Sequence, residues 1–498
     1  MGDMRVGRVQ AGQEVKLSAA QGSILDGSND AFVKISGTDI TLVSDKAAIG
    51  SASDELEIDT QGTGRLTASA TTDAYITEKI GALKVTSVGA GANLRLSVAE
   101  SSGQGDDIIL DSGSTVSGGK DVSLSITAAA GQGAKLVSSI DGNQELSNSQ
   151  LKRTPASSTT VQTIAIIGFT QASLAGGASD NTMSIGGWTG SVTVDGGSGY
   201  DTITVTTDTD FNIADGLIKR VGTGDATIIG IENGVFRGGA KANKFDVSGW
   251  TKDGQVFGEL SPAKQNDTII SSGGGAIQLS GTALKRAGTV DLVLGGIESA
   301  ELTGGAGDDL FDVSGWAGTG KITGGLGIVT LVASNDADML LSDIALSRTA
   351  GKTSLGSMTL AGLESAQLTG GVSANKFTLS GWSGDASIAG NGGTGDSFVL
   401  TADANYTLEA SKITRTTTGK SVSMAGIANV SLSGGASANR FTVNGWTGPV
   451  SIAGGGGVDT IAYAGSGDVS VSPTVFTAGG AVVVEVRDAG QAPVPQHD

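Results

Sequence analysis

No cysteine occurs in this chain, so its stability cannot rest on disulfides. That absence fits an extracellular protein that does without them and equally fits many bacterial cytosolic proteins. Histidine is nearly missing too: the single one, His497, lies in a proline-containing tail, QAPVPQHD, and is discounted as a metal or catalytic residue. Proline numbers six in 498 residues and aromatic residues make up 4%, which points to a narrow core of Val, Ile, Leu and Ala rather than one anchored by rings. Basic residues are outnumbered, 31 against 50 acidic, and the net charge of −19 argues against a nucleic-acid or anionic-membrane partner. No run of about 20 apolar residues is present to insert in a bilayer. The opening text, MGDMRVGRVQAGQEVKL, has no apolar signal-peptide core and passes at once into strand-like sequence. It reads as part of a longer polypeptide.

Glycine is abundant, at 81 residues, without the three-residue period of collagen. Short alternating stretches such as TITVTT, FDVSGW and FVLTAD are bounded by Gly, Asn and Asp, and no useful helical period appears. The expected fold is all-β: a parallel β-helix or β-roll solenoid with about 20 residues per rung. Residues 1–150 form an N-terminal β-helical repeat region, with an independent sandwich as the alternative. Residues 151–485 hold five tandem modules of about 62–66 residues, three rungs each, and 486–498 form a disordered tail.

The modules are marked by a Gly-Gly pair twelve residues before each tryptophan: Trp188, Trp250, Trp316, Trp382 and Trp446. These five are all the tryptophans in the chain. They are expected to be partly buried corner residues; stacking on a sugar would need all five rings exposed on one face. An arginine also recurs in register (Arg153, Arg220, Arg286, Arg348 and Arg415), and is expected to face solvent opposite aspartates of neighbouring rungs.

One repeated phrase carries possible chemistry. GGSGYDTIT from Gly196, GGAGDDLFD from Gly304 and GGGGVDTIA from Gly454 match G-G-x-G-x-D-x-U-x, in which glycines shape a turn and the aspartate offers a hard oxygen to Ca²⁺. Partial matches surround Asp396 and the Asp106–Asp107 pair. The candidate metal ligands are therefore Asp201, Asp308, Asp309, Asp396 and Asp459. At the Trp-containing phrase itself the aspartate position reads Asn181, Asn243, Asp309, Asn375 and Asn439, with core anchors Met183, Phe245, Phe311, Phe377 and Phe441. Asparagine brings no charge, so a few calcium-binding turns are compatible with this text but a continuous calcium ladder is not.

The tandem G-G-x-G-x-D text resembles the hemolysin-type calcium-binding repeat family. The phrases GSILDG, AIGSASDELEID, DAYITE and LKVTSV resemble β-helical stalks of bacterial adhesins of the filamentous-hemagglutinin kind. The ANxFxVSGWTG module resembles repeats of giant secreted or surface proteins. The resemblance implies export to the cell surface or medium, adhesion or matrix roles, and glycans or other surface components as partners. The expected function is a non-enzymatic structural or adhesive repeat segment. A calcium-dependent module of a secreted protein is the first alternative. A polysaccharide-acting β-helix enzyme, with Asp308 and Asp309 as its nearest carboxylate pair, is the second.

Overall fold

The computed structural model describes residues 2–99, 106–127, 134–258, 266–464 and 482–487. His497, most of the expected tail and the turn after Gly258 in the second module lie outside these residues. Among the described residues all regular structure is β-strand, and no helix is long and apolar enough to cross a membrane. The chain divides into two compact units, Met1–Ala263 and Lys264–Asp498.

In the first unit, strands stack side by side in parallel. Glu14–Ala19 pairs with Asp39–Ser44, which pairs with Arg65–Ala70, then Leu83–Ala90 and Ile108–Gly118. Parallel neighbours need a crossover between them, and here the crossover is itself a strand of a second sheet: Leu56–Asp59, Ala74–Glu78 and Leu94–Ala99 form that parallel ladder. Each strand alternates inward and outward. Leu94, Leu96 and Val98 are buried while Arg95 and Ser97 face outward, and such alternation fixes register because a one-residue slip would expose the apolar set. Fully burying one such aliphatic side chain contributes roughly 1.5–3 kcal/mol.

From residue 142 onward antiparallel strands are woven into the parallel ladders. Gln150–Pro155 runs antiparallel to both Gly142–Leu146 and Gln162–Ile167. In the second unit, Ala345–Ala350 lies antiparallel between Asp338–Ser342 and Thr353–Ala361, and the outer two strands then pair in parallel with Lys376–Ser380 and Thr319–Thr323. Where no such excursion intervenes, the parallel partner lies twenty residues on, as in Ser299 with Thr319, Ser365 with Asp385 and Arg440 with Thr460. Where it does, the step lengthens: Gly320 partners Met358. The last described strand, Val482–Arg487, runs past the boundary expected at residue 485.

Candidate functional site

The repeated glycine turn is held by its Asx residue. Asn181 is buried, and its Oδ1 accepts the Gly177 N–H at 2.8 Å. Asn243, Asn375 and Asn439 are also buried and accept from Gly239, Gly371 and Gly435 at 2.8, 2.7 and 2.9 Å. The turn needs its glycine: a Cβ on Gly370 would meet Asn375 Oδ1 at 2.5 Å. Beyond it, Met183, Phe245, Phe311, Phe377 and Phe441 are fully buried, and Phe245 and Phe441 stack on Phe211 and Tyr406 of the strands beside them.

The other end of each asparagine explains why it is not aspartate. Asn375 Nδ2 donates to Asp336 at 3.2 Å, Asn439 Nδ2 to Asp403 at 3.1 Å, and Asn181 Nδ2 reaches toward Asp141 at 3.5 Å. Asp208 stands in the same relation to Asn243. Each of these aspartates also accepts a backbone N–H of the turn it faces, from Ser179, Lys241, Ser373 or Ser437. Two residues after it, Asn143, Asp210, Asp338 and Asn405 accept the N–H of Thr182, Lys244, Lys376 and Arg440. These hydrogen bonds hold the carboxyls below the ordinary aspartate value, led by the backbone N–H at Asp141, Asp208 and Asp336 and by the Asn439 amide at Asp403. A D-x-D or D-x-N phrase upstream thus clamps each asparagine turn.

The third module exchanges the parts. The phrase there is Gly274-Gly275-Ala276, with no carboxylate, and the facing turn carries Asp309 in place of asparagine. Asp309 accepts the Gly275 N–H at 2.6 Å and the Gly305 N–H at 2.8 Å. In four modules the carboxylate that meets the Asx side chain comes from the facing phrase; in the third the Asx side chain is itself the carboxylate. Where the aspartate side chains are missing, Gly275, Ala276, Asp308, Asp309, Leu310, Ile328 and Thr330 line an open cleft of about 280 Å³. Asp308 is exposed at its rim and accepts the Ile328 N–H at 2.8 Å.

The aspartates named as calcium ligands are distributed by this scheme. Asp201, Asp396 and Asp459 are buried and accept the backbone N–H of Asn181, Asn375 and Asn439 at 2.7, 2.7 and 2.8 Å. Burial pushes the Asp201 carboxyl up from its ordinary value. Calcium takes six to eight oxygens. Each of these carboxylates instead faces amide donors, and no group of three or more His, Cys, Asp or Glu side chains among the described residues could hold a metal ion. Asp201 and Asp396 each keep one buried oxygen without a hydrogen-bond partner.

Tryptophan and arginine serve the next corner. Trp188, Trp250, Trp316 and Trp382 are buried and Trp446 is half-buried. Each indole N–H donates to the carbonyl three residues on, at Ser191, Asp253, Thr319, Asp385 and Pro449. At four of the five corners the ring covers the glycine two residues on, as where a Cβ at Gly318 would lie 2.5 Å from the Trp316 ring; after Trp250 that position is Lys252. Four indoles so placed present no open face to a sugar.

The arginines do not face solvent, contrary to the expectation from their register. Arg153, Arg220, Arg286, Arg348 and Arg415 are buried. Arg220 donates to the carbonyls of Trp188 at 2.6 Å and Gly190 at 3.0 Å, and Arg415 donates to those of Trp382 and Gly384. Arg348 donates to Val313 at 2.8 Å and Arg153 to Ser139 at 2.9 Å. The physical reason is that inward-facing backbone carbonyls, those of the Trp corner for Arg220 and Arg415 and of neighbouring strands for Arg153, need donors, and a guanidinium supplies several at once. Burial lowers Arg220, Arg348 and Arg415, and Arg153 to about 10. The signal was present in the strand text: Leu217–Arg220 alternates so that Ile218 and Arg220 point in while Lys219 points out.

Sequence reasoning passed over a cluster of buried charges near the N-terminus. Asp26, Lys34, Glu57 and Glu78 are all buried. Thr60 donates to both Glu78 oxygens through its N–H and to one through its hydroxyl, yet burial dominates and pushes Glu78 up to about 8. Glu57 is pushed up to about 7, first by burial and then by the nearby Asp26 charge.

No protein-family model matches the chain, and no curated protein matches it in sequence.

Proposed function

We propose that this chain is a segment of a non-enzymatic, extracellular repeat protein, a β-solenoid with rungs of about 20 residues that serves a structural or adhesive role. The observation that carries the reading is the fate of the repeated polar residues. In module after module, the Asx residue, its upstream aspartate, the indole N–H and the arginine bind their own or neighbouring turns of the same chain. Residues repeated for function toward a ligand would leave donors or acceptors facing outward. A catalytic centre would need an acid and a base free to exchange protons, whereas both oxygens of Asp309 are occupied by backbone N–H groups. The acidic surface and the regular outer faces suit glycans or other surface and matrix components as partners, and the segment belongs to a longer polypeptide.

Incubating the labelled chain with a panel of neutral and acidic polysaccharides tests this. Retention without shortening of the polymer is expected; new reducing ends would overturn the non-enzymatic reading. A parallel Ca²⁺ titration followed by circular dichroism should show no change in fold, and calcium-dependent folding would favour the alternative of a calcium-dependent module.

A further inference from the structure

The N-terminal charge cluster brings a nucleophile against an electrophile in a closed space. Lys34 immediately precedes the strand Ile35–Ser36, which pairs in parallel with Leu56–Asp59, and the Lys34 N–H donates to the Glu57 carbonyl at 3.0 Å. Lys34 and Glu57 are therefore lateral neighbours. Asp26 ends the strand Ile24–Asp26 and is buried, with its Oδ1 3.3 Å from Lys34 Nζ. Ser28 Oγ, at 2.8 Å, and Asp30 Oδ1 also receive the ammonium. Asp26 Oδ2 and Glu57 Oε2 are buried with no hydrogen-bond partner. Two buried carboxyl oxygens left unsatisfied beside one buried lysine are costly, and an isolated buried charge pair is often worse than a neutral replacement.

We propose that Lys34 and Asp26 condense into an intramolecular amide, with Glu57 as the proton carrier. The new bond joins Lys34 Nζ to Asp26 Cγ, and one carboxyl C–O bond of Asp26 breaks. The ammonium gives up two protons, which leave with that oxygen as water, so an ion pair becomes a neutral amide and no oxidant or reductant is needed. Burial alone would lower the Lys34 amine, but its bonds to Asp30 and Asp26 outweigh this and leave it raised, so the ion pair is the resting form. Glu57, set beside Lys34 by the pairing of their strands and with a buried oxygen free of hydrogen bonds, relays a proton from the ammonium to the departing oxygen. Fixed contact supplies the entropy that a bimolecular condensation would lack, and exclusion of water opposes hydrolysis of the product. Asp30, half exposed, holds the ammonium in place from the open side. Asp54, Arg5 and Lys79 complete the charges felt by the cluster.

Intact mass of the denatured full chain decides the matter. A loss of about 18 Da, one water, is expected. Trypsin, which does not cut at an acylated lysine, should yield residues 17–46 as one uncut peptide carrying that loss. Asp26→Asn should lose ammonia instead, about 17 Da. Lys34→Arg keeps the ion pair without the nucleophile and should restore the full mass with an unchanged circular dichroism spectrum. Glu57→Gln should also leave the full mass, with Lys34 again open to trypsin. A wild-type chain of full mass that is cut at Lys34 overturns the proposal and leaves a buried ion pair. A chain lighter by one water but still cut at Lys34 also overturns it, because a succinimide at Asp26-Gly27 then accounts for the loss.

Discussion

In four modules an asparagine turn faces an aspartate; in the third, an aspartate turn faces glycine. The same junction is closed in both, with the carboxylate that meets the Asx position placed on opposite sides. Asn375 donates to Asp336, whereas Asp309 accepts from the Gly275 N–H. The exchange shows what the turn selects: a match of donor to acceptor across the junction. Asparagine at Asn181, Asn243, Asn375 and Asn439 is the complement of Asp141, Asp208, Asp336 and Asp403 and needs no lost metal to explain it.

The largest expected effect comes from breaking the match in a module that has it. Asn375→Asp sets a second carboxylate against Asp336 and should cost about 2–3 kcal/mol in urea denaturation at pH 7. Adding Asp336→Gly, which copies the third module, should recover at least about 1 kcal/mol of coupling, as interacting pairs do. Strictly additive losses would remove the donor–acceptor account.

The reverse exchange should be milder. Asp309→Asn leaves one acceptor oxygen for the two N–H groups of Gly275 and Gly305 and should cost about 1–2 kcal/mol. Gly274→Asp would then supply the partner for the new amide. A Cβ at Gly274 meets nothing closer than 3.8 Å, so the side chain has room to enter the cleft. If the double variant is no more stable than Asp309→Asn alone, the two module types are not interchangeable.

Much of this was legible before any coordinates. The strands, their alternation, the glycine turns and the buried anchors from Met183 to Phe441 follow from period and spacing. The partner of each asparagine did not, because it lies far upstream, across antiparallel strands of variable length: Asp208 precedes Asn243 by 35 residues and Asp141 precedes Asn181 by 40. The phrases DGN, DTD, DAD and DAN could have been aligned, but without the fold nothing marks them as facing the turn. The antiparallel strands were missed for a related reason: an alternating four-residue strand reads the same in either direction. The arginines misled because charge suggests solvent, while their in–out alternation with Lys219 and Lys285 suggested burial.

The N-terminal region and the modules should also part company with pH. Glu78 has a folded value raised to about 8, so its contribution is full below the ordinary 4.5 and is lost as pH rises through about 8. Glu78→Gln should therefore raise the urea midpoint relative to wild type at pH 9 and give no gain at pH 5. An equal shift at both would mean that the carboxyl's charge is not what burial opposes.

The aspartate clamps run the other way, and here the effect is smallest and most local. Asp141, Asp336 and Asp403 are held below 3.8, so their contribution is present above that value and lost as pH falls through their lower folded values. The amides they cap, at Ser179, Ser373 and Ser437, should lose protection from hydrogen exchange in that acid range, after correction for the intrinsic rate. Gly307 occupies the same turn position in the third module, where Gly274 brings no carboxylate to titrate. The nearest bonded amide there, Leu310, donates to the Gly275 carbonyl at 3.1 Å, which does not titrate, and its protection should stay flat over that range. A parallel loss at Leu310 would show that the turns open together, through a general acid expansion, and that the carboxylate opposite each one does not decide its stability.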